Sequence, residues 1–199
     1  NNIIIMKILQ NIQDYIKYAI ENKNVELEFI YGSNNNSSIN KEKFLNLLKH
    51  CKENFKFLSE NNILDIRKEI LLKNKKIIGS TRCSIHGLKE IQNYCKTEKI
   101  ENAEYIKKQN IQGKKQFVDK DYNYRINIKT EETLREQGED VKSFLVDFQE
   151  SKKHYRYKKR YSFLTHNKIF RIDLTVVKSS KKNRVLQSYE LYKTFVESK

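Results

Sequence analysis

Two groups of residues have the types and the spacing to do chemistry. Glu26 and Glu28 stand two apart in VELEFIY, and Arg156, Lys158 and Arg160 stand at the same interval in YRYKKRYS. In a β-strand, side chains two apart point to one face. Paired carboxylates on one face offer hard oxygen ligands, which suit a divalent cation such as Mg2+ or Mn2+. A row of cations on one face suits phosphates, and arginine adds a planar two-pronged contact. The same sorting separates Arg171, Asp173 and Thr175 from Phe170, Ile172, Leu174 and Val176. It separates Arg125, Lys129 and Glu131, with Asn123 and Asn127, from Tyr122, Tyr124, Ile126 and Ile128. Opposite Arg156, Lys158, Arg160 and Ser162 it leaves Tyr155, Tyr157, Lys159, Tyr161 and Phe163.

The elements that must position these residues follow from periodicity. Helical spacing predicts a helix over 7–22, carrying Ile8, Leu9, Ile12, Ile16, Ala19 and Ile20 on one side. A second is expected over 40–55, with Asn40 as N-cap and Phe44, Leu47, Leu48, Cys51 and Phe55 on its stripe, and a short third over 87–95. Alternation predicts strands at 25–31, 63–70, 75–85 with a bend at Gly79, 103–111 and a longer one at 117–130. Gly32 and the following SNNNSS read as a turn. Residues 131–150 read as helix or loop, and 154–165 with 168–178 as a hairpin turning at His166–Asn167. The last twenty residues are ambiguous. The expected class is α+β, an antiparallel sheet with helices packed outside.

Such a sheet has two arrangements. It can lie open with its charged face in water. It can also curl into a barrel with the apolar side on helices and the charged side inward. Crowded cations inside cost several kcal/mol each unless compensated, and a polyanion would compensate them.

Composition narrows the classes. The 199 residues carry 40 Lys+Arg against 25 Asp+Glu, a net charge of +15, which predicts a nucleic acid, nucleotide or polyphosphate partner. Twelve Tyr and ten Phe argue against disorder. No run of 18 apolar residues exists and the opening NNIIIMKILQ lacks a cleavage signature, so neither a membrane span nor a secretory signal is expected. The three cysteines, Cys51, Cys83 and Cys95, have no CxxC spacing. They are expected to be buried thiols in a reducing, cytoplasmic compartment. His50, His86, His154 and His166 are scattered without ligand spacing, and no Ser-His-Asp set or glycine-rich phosphate loop is present. The tyrosine-rich faces are expected to be core surface rather than base-stacking platforms. Lys181, Lys182 and Arg184 read as a solvated basic turn, and both ends read as cut.

The order ELE (26–28), RINIKTEE (125–132), RYKKRYS (156–162) and RIDLTVVKSS (171–180) resembles the triphosphate tunnel metalloenzymes. It is most similar to the metal-dependent mRNA 5′-triphosphatases of fungi, protozoa and large nucleocytoplasmic DNA viruses. The resemblance spans roughly 22–180 and is strongest over 154–180. It implies an antiparallel β-barrel, the triphosphate tunnel, in a single domain over 1–199. It implies that Glu26 and Glu28 hold the metal, Mg2+ or Mn2+, and that Glu131 positions the attacking water. It implies that Arg156, Lys158 and Arg160 contact the triphosphate and that Arg171 binds phosphate. Asp173 and Thr175 would support the metal-bound water and the basic neighbours. Arg125 and Lys129 would line the charged interior. Arg82 and either Lys107 or Lys108 would supply further phosphate contacts. The family's second ExE pair is missing from SYELYKTFVESK, where Lys193 falls at the place of the second acid. The chain is therefore expected to stop before the last acidic strand.

The function implied is removal of the γ-phosphate from 5′-triphosphate RNA, the first step of mRNA capping. Guanylyltransferase and methyltransferase domains of the same polypeptide are the implied partners, with no membrane partner. The implied location is host cytoplasm or virion. Hydrolysis of nucleoside triphosphate, tripolyphosphate or thiamine triphosphate on the same fold, and a noncatalytic RNA-binding β-domain, are the alternatives.

Overall fold

The computed structural model describes residues 2–31, 39–114, 116–119, 123–168 and 170–180. The expected turn after Tyr31, the side chain of Tyr122, the basic turn at Lys181–Arg184 and the late SYELYKTFVESK lie outside the described residues. The chain divides into two compact units, Asn1–Ile39 with Lys107–Glu132, and Asn40–Ile106 with Thr133–Lys199.

The first unit contains α1 (Asn2–Glu21), β1 (Val25–Tyr31), the second half of β4 (Ala103–Asn110), β5 (Phe117–Asp119) and most of β6 (Tyr124–Thr133). Strand β1 pairs antiparallel with β6, setting Glu26 opposite Lys129, Leu27 opposite Ile128 and Glu28 opposite Asn127. The single strand expected over 117–130 is two strands: β5 turns back on β6, with Phe117 opposite Ile126 and Asp119 opposite Tyr124. Both arms alternate with period two, so their residue types alone do not mark the reversal. Asn123, at φ 54, takes the left-handed conformation that asparagine tolerates. Ile126 and Ile128 turn to the buried side.

The second unit contains α2 (Lys41–Asn54), β2 (Lys56–Leu72), β3 (Lys75–His86), α3 (Leu88–Thr97), the first half of β4, α4 (Glu139–Leu145), β7 (Lys153–Leu164) and β8 (Arg171–Ser180). Its strands run in the order β4-β3-β2-β7-β8. β2 pairs antiparallel with both β3 and β7, and β7 with β8. Strand β2 is longer than the expected 63–70 because its first half is paired to β7, down to Lys56 opposite Leu164. A register shift between Phe57 and Ser59 breaks the alternation there. Lys73 and Asn74, at φ 48 and 62, close the β2–β3 hairpin in two residues, as a primed turn requires. The expected irregularity at Gly79 is present: the register slips between Arg67 and Glu69, placing 79–81 against Lys68. A Cβ on Gly79 would come within 3.2 Å of the Lys68 carbonyl oxygen.

Helices cover the apolar side of this sheet. Asn40 caps α2 as expected, its side chain accepting from the Lys43 amide at 2.8 Å. Phe44, Leu48 and Cys51 of α2, with Phe55, pack on Phe163, Leu174, Tyr161 and Ile172. Ile91, Tyr94 and Cys95 of α3 and Val141 and Phe144 of α4 pack on Leu64, Ile66, Cys83, Ile85 and Tyr155. The undecided stretch 131–150 splits, with β6 running on to Thr133 and α4 beginning at Glu139. The last hairpin closes where the Thr165 amide donates to the Phe170 carbonyl at 3.0 Å. The three cysteines are free and buried, and burial pushes the Cys83 and Cys95 thiols up to about 12, so neither is a ready nucleophile. Among the described residues no helix is long and apolar enough to cross a membrane. The class is the expected one, α+β on an antiparallel sheet with helices on its apolar side.

Candidate active site

The polar face of the second unit is built by register. Asp65 of β2 lies opposite Ser84 of β3 and Arg156 of β7, and Arg67 lies opposite Arg82 and His154. Leu64 and Ile66, the alternate residues of β2, turn into the core with Cys83, Ile85 and Tyr155. The apolar side chains thus fix which way the charged ones point. Asp65 is 2% exposed. It accepts from Ser84 Oγ at 2.9 Å, pairs with the Lys158 ammonium, and has Arg82 Nε at 3.7 Å.

This buried pair shifts both partners. Burial alone would raise Asp65. Lys158 and Arg82 outweigh it, aided by hydrogen bonds from Lys158 and Ser84, and hold the carboxyl below the ordinary range. Lys158 is also buried, and only Asp65 supports its charge while Arg82 and Arg156 repel it. Its ammonium is pushed down to about 8. The asymmetry follows from partner count: Asp65 has three donors around it, Lys158 one carboxylate.

A second anchor lies one hairpin away. Asp173 of β8 accepts from Ser162 Oγ at 2.8 Å and pairs with Arg171 at 3.0 Å and Arg160 at 3.5 Å. Arg160 Nε also donates to Thr175 Oγ1 at 3.4 Å. The residues expected from the β7–β8 hairpin are therefore linked, Arg160 and Arg171 through Asp173 and Thr175 through Arg160. Arg171 keeps much of its guanidinium in solvent, and Arg156 is exposed.

In the first unit, three carboxylates close on one ammonium. Lys108 pairs with Glu26, with Glu131 at 2.6 Å and with Glu28 at 3.9 Å. Burial disfavours the Lys108 charge, but the hydrogen bonds it donates to Glu131 and Glu26 outweigh it and raise the pKa. Burial also raises Glu26 despite its Lys108 hydrogen bond, with repulsion from Glu28 adding to the shift. Of the two lysines left open by the sequence, Lys108 joins this cluster. Lys129 sits directly opposite Glu26 in register, and Arg125 shares its parity on β6.

The donor set suits a hard divalent cation in its chemistry: all-carboxylate oxygens, already gathered around one positive charge. Glu26 and Glu28 are the residues that would hold it. Among the described residues, no three His, Cys, Asp or Glu side chains are arranged as a complete metal cage. His86 Nε2 lies 3.4 Å from Glu104 and His154 Nε2 3.7 Å from Glu69. A cavity of about 580 Å³ in the second unit, lined by Ile100, Tyr105, Leu145 and Phe148 with Glu98 and Glu101, has an acidic rim unsuited to phosphate.

Two residues central to the basic face escaped the sequence reading, Asp65 and Arg67. The signal was there: in ILDIRKEI they alternate with Leu64 and Ile66 on the opposite face. That strand carries no row of like charge, so parity alone does not single it out.

No protein-family model matches the chain, and no curated protein matches it. Solved structures do. One is the triphosphatase of the Mimivirus capping enzyme, at TM-score 0.62 and 20% identity, covering 90% of this chain and 80% of that one. Another is the RNA triphosphatase domain of a trifunctional mimivirus mRNA capping enzyme, at TM-score 0.57 and 24% identity, covering 86% and 78%. At these identities the likeness is one of fold. The chain has the fold of these viral capping-enzyme triphosphatases.

Proposed function

We propose that this chain is a metal-dependent RNA 5′-triphosphatase, hydrolysing the γ-phosphate of 5′-triphosphate RNA as the first step of mRNA capping. The observation that carries the reading is the one-sided basic face, with Arg82, Lys158, Arg160 and Arg171 gathered on Asp65 and Asp173, in a chain of this fold. Phosphoryl transfer asks the protein mainly to position reactants and neutralise charge. Arg160 and Arg171 are oriented by Asp173 and present guanidinium forks to phosphate oxygens. Lys158 and Arg82, set by Asp65, hold further oxygens. Glu131 orients water toward the γ-phosphorus and takes its proton, while the β–γ bond breaks toward the β-phosphate oxygen. Glu26 and Glu28 would hold Mg2+ or Mn2+, which supplies Lewis-acid polarisation of a phosphate oxygen. The diphosphate-ended RNA then suits guanylyl transfer, consistent with capping domains in the same polypeptide as partners.

The test is release of labelled phosphate from γ-labelled 5′-triphosphate RNA with Mg2+ or Mn2+. Glu28→Ala and Arg160→Ala should each lower the rate by roughly 10²–10³. Equal release by Glu28→Ala removes the metal assignment. Tight RNA binding with no release under either metal favours a noncatalytic binder, and faster release from free nucleoside triphosphate moves the substrate away from RNA.

A further inference from the structure

Three cavities of the second unit join along one stretch of chain, the link from α3 into β4. The cavity of about 580 Å³ has apolar walls at Ile100, Tyr105, Leu145 and Phe148. Tyr105 and Phe148 belong to the core and Ile100 packs against it, so the floor is the core itself. Leu145 stands 43% exposed on the wall, with Val146 beside it at 59%. A cavity of about 410 Å³ shares Lys99 and Glu101 with the first, and one of about 360 Å³ shares Tyr105. Together they make an elongated depression along residues 98–105, on the helix-covered side of the sheet. The wall over 145–151 is held from the sheet. Lys68 of β2 donates to the Ser143 and Val146 carbonyls at 2.9 and 2.7 Å. Lys153 of β7 donates to the Gln149 and Ser151 carbonyls at 3.0 and 3.1 Å. Gln149 Nε2 donates to the Glu98 carbonyl at 3.3 Å, tying one wall to the other. Binding sites are usually formed in this way before the ligand arrives.

The charge here is opposite to that of the molecule. Glu98, Glu101, Asp147 and Glu150 line the large cavity against one lysine, Lys99. Lys153 lies beneath, buried, and interacts with Glu98 and Glu150. Asn93 holds Glu101 at 3.0 Å with a neutral amide, which leaves the carboxylate its charge. Glu104 and Glu136 carry the same sign onto the smallest of the three cavities. In a chain of net charge +15 this is a local reversal.

We propose that this depression is a docking groove for an extended basic segment of another protein. The segment sets an aliphatic or aromatic side chain between Ile100 and Leu145, and its lysines or arginines against Glu101 and Glu150. The apolar floor supplies affinity, and the carboxylates select the partner by charge. The elongated shape suits a polypeptide better than a compact cation. A second copy of this chain is disfavoured, because two bodies of like net charge repel. The inference goes beyond the triphosphatase reading and stands without it.

The experiment is fluorescence anisotropy of the full chain with a labelled short peptide, a phenylalanine–leucine centre flanked by lysines and arginines. Two further peptides replace the centre by serines or the basic residues by glutamates. Wild type should bind the first peptide about ten-fold or more tighter than the serine-centred one, the scale of burying one apolar side chain. Glu101→Gln with Glu150→Gln should weaken it by about three- to ten-fold, the scale of two exposed ion pairs. Leu145→Ser should weaken it by about ten-fold and leave the serine-centred peptide unchanged. Glu42→Gln with Glu53→Gln, the same loss of charge at exposed sites on α2, should change nothing. Thermal melts confirm that each variant is folded. The proposal is overturned if the glutamate peptide binds as well as the basic one, or if both groove variants bind like the wild type. Equal binding of the serine-centred peptide, or its displacement by spermine as readily as by the unlabelled peptide, would reduce the groove to a general attractor of cations and also overturn it. A wild-type dimer in light scattering that Leu145→Ser dissolves would give the groove to a second copy instead.

Discussion

Lys158 is the residue at which burial and charge compete most openly. Its ammonium is desolvated, supported by Asp65 and repelled by two arginines, and it loses its proton near pH 8. The unfolded value for lysine is about 10.4. The folded chain therefore releases this proton first, and the unfolded state binds more protons across that window. Stability from this group consequently rises as pH climbs from about 8 toward about 10. Anion binding moves the other way, since a neutral amine no longer attracts phosphate. Tripolyphosphate affinity of the wild type should fall as pH rises through about 8. Lys158→Arg should abolish that step, because a guanidinium stays charged. Titration calorimetry across the window checks this, and parallel profiles for the two proteins would contradict it.

At the scale of elements, a single strand packs the core with one set of side chains and carries cations with the alternate set. Strand β7 buries Tyr155 and Phe163 against helices while Lys158 and Arg160 turn to the polar side. Helix α2 packs on the apolar side of this strand through Phe44, Leu48 and Cys51. Removing its cap should then cost stability without touching chemistry. Asn40→Ala is expected to lower unfolding free energy by about 1 kcal/mol in denaturant titration. The rate of phosphate release in the same variant should be unchanged below the transition. A lost rate with intact folding would mean that α2 positions the site as well as the core.

For the whole molecule, the surplus of +15 acts at longer range than any single contact. An excess of lysine and arginine draws a polyanion by releasing its counterions, and this attraction weakens as salt rises. Binding of 5′-triphosphate RNA should fall by about ten-fold or more between about 50 and about 200 mM KCl, with little dependence on RNA sequence. Fluorescence anisotropy with two unrelated RNA sequences tests this. A salt-independent affinity would place the recognition in something other than phosphate charge.

Much of the architecture was legible because a strand's period is local. Alternation in VELEFIY, YRYKKRYSF and RIDLTV sorted glutamates and cations from tyrosines and isoleucines before any partner strand was known. Capping by Asn40 was legible for the same reason, since an N-cap bonds within three residues. The sequence by itself therefore determined helices α1 to α3, most strands and the two-faced character of the sheet. Only the tertiary structure decided what pairing decides. It split 117–130 into two strands, extended β2 back to Lys56, and set Lys108 among Glu26, Glu28 and Glu131. It also brought Asp65, 93 positions earlier in the chain, to Lys158, and left Arg67 between two other arginines. These are contacts between residues distant in sequence. Their register is set by which apolar side chains fill the core together, and no single strand carries that information.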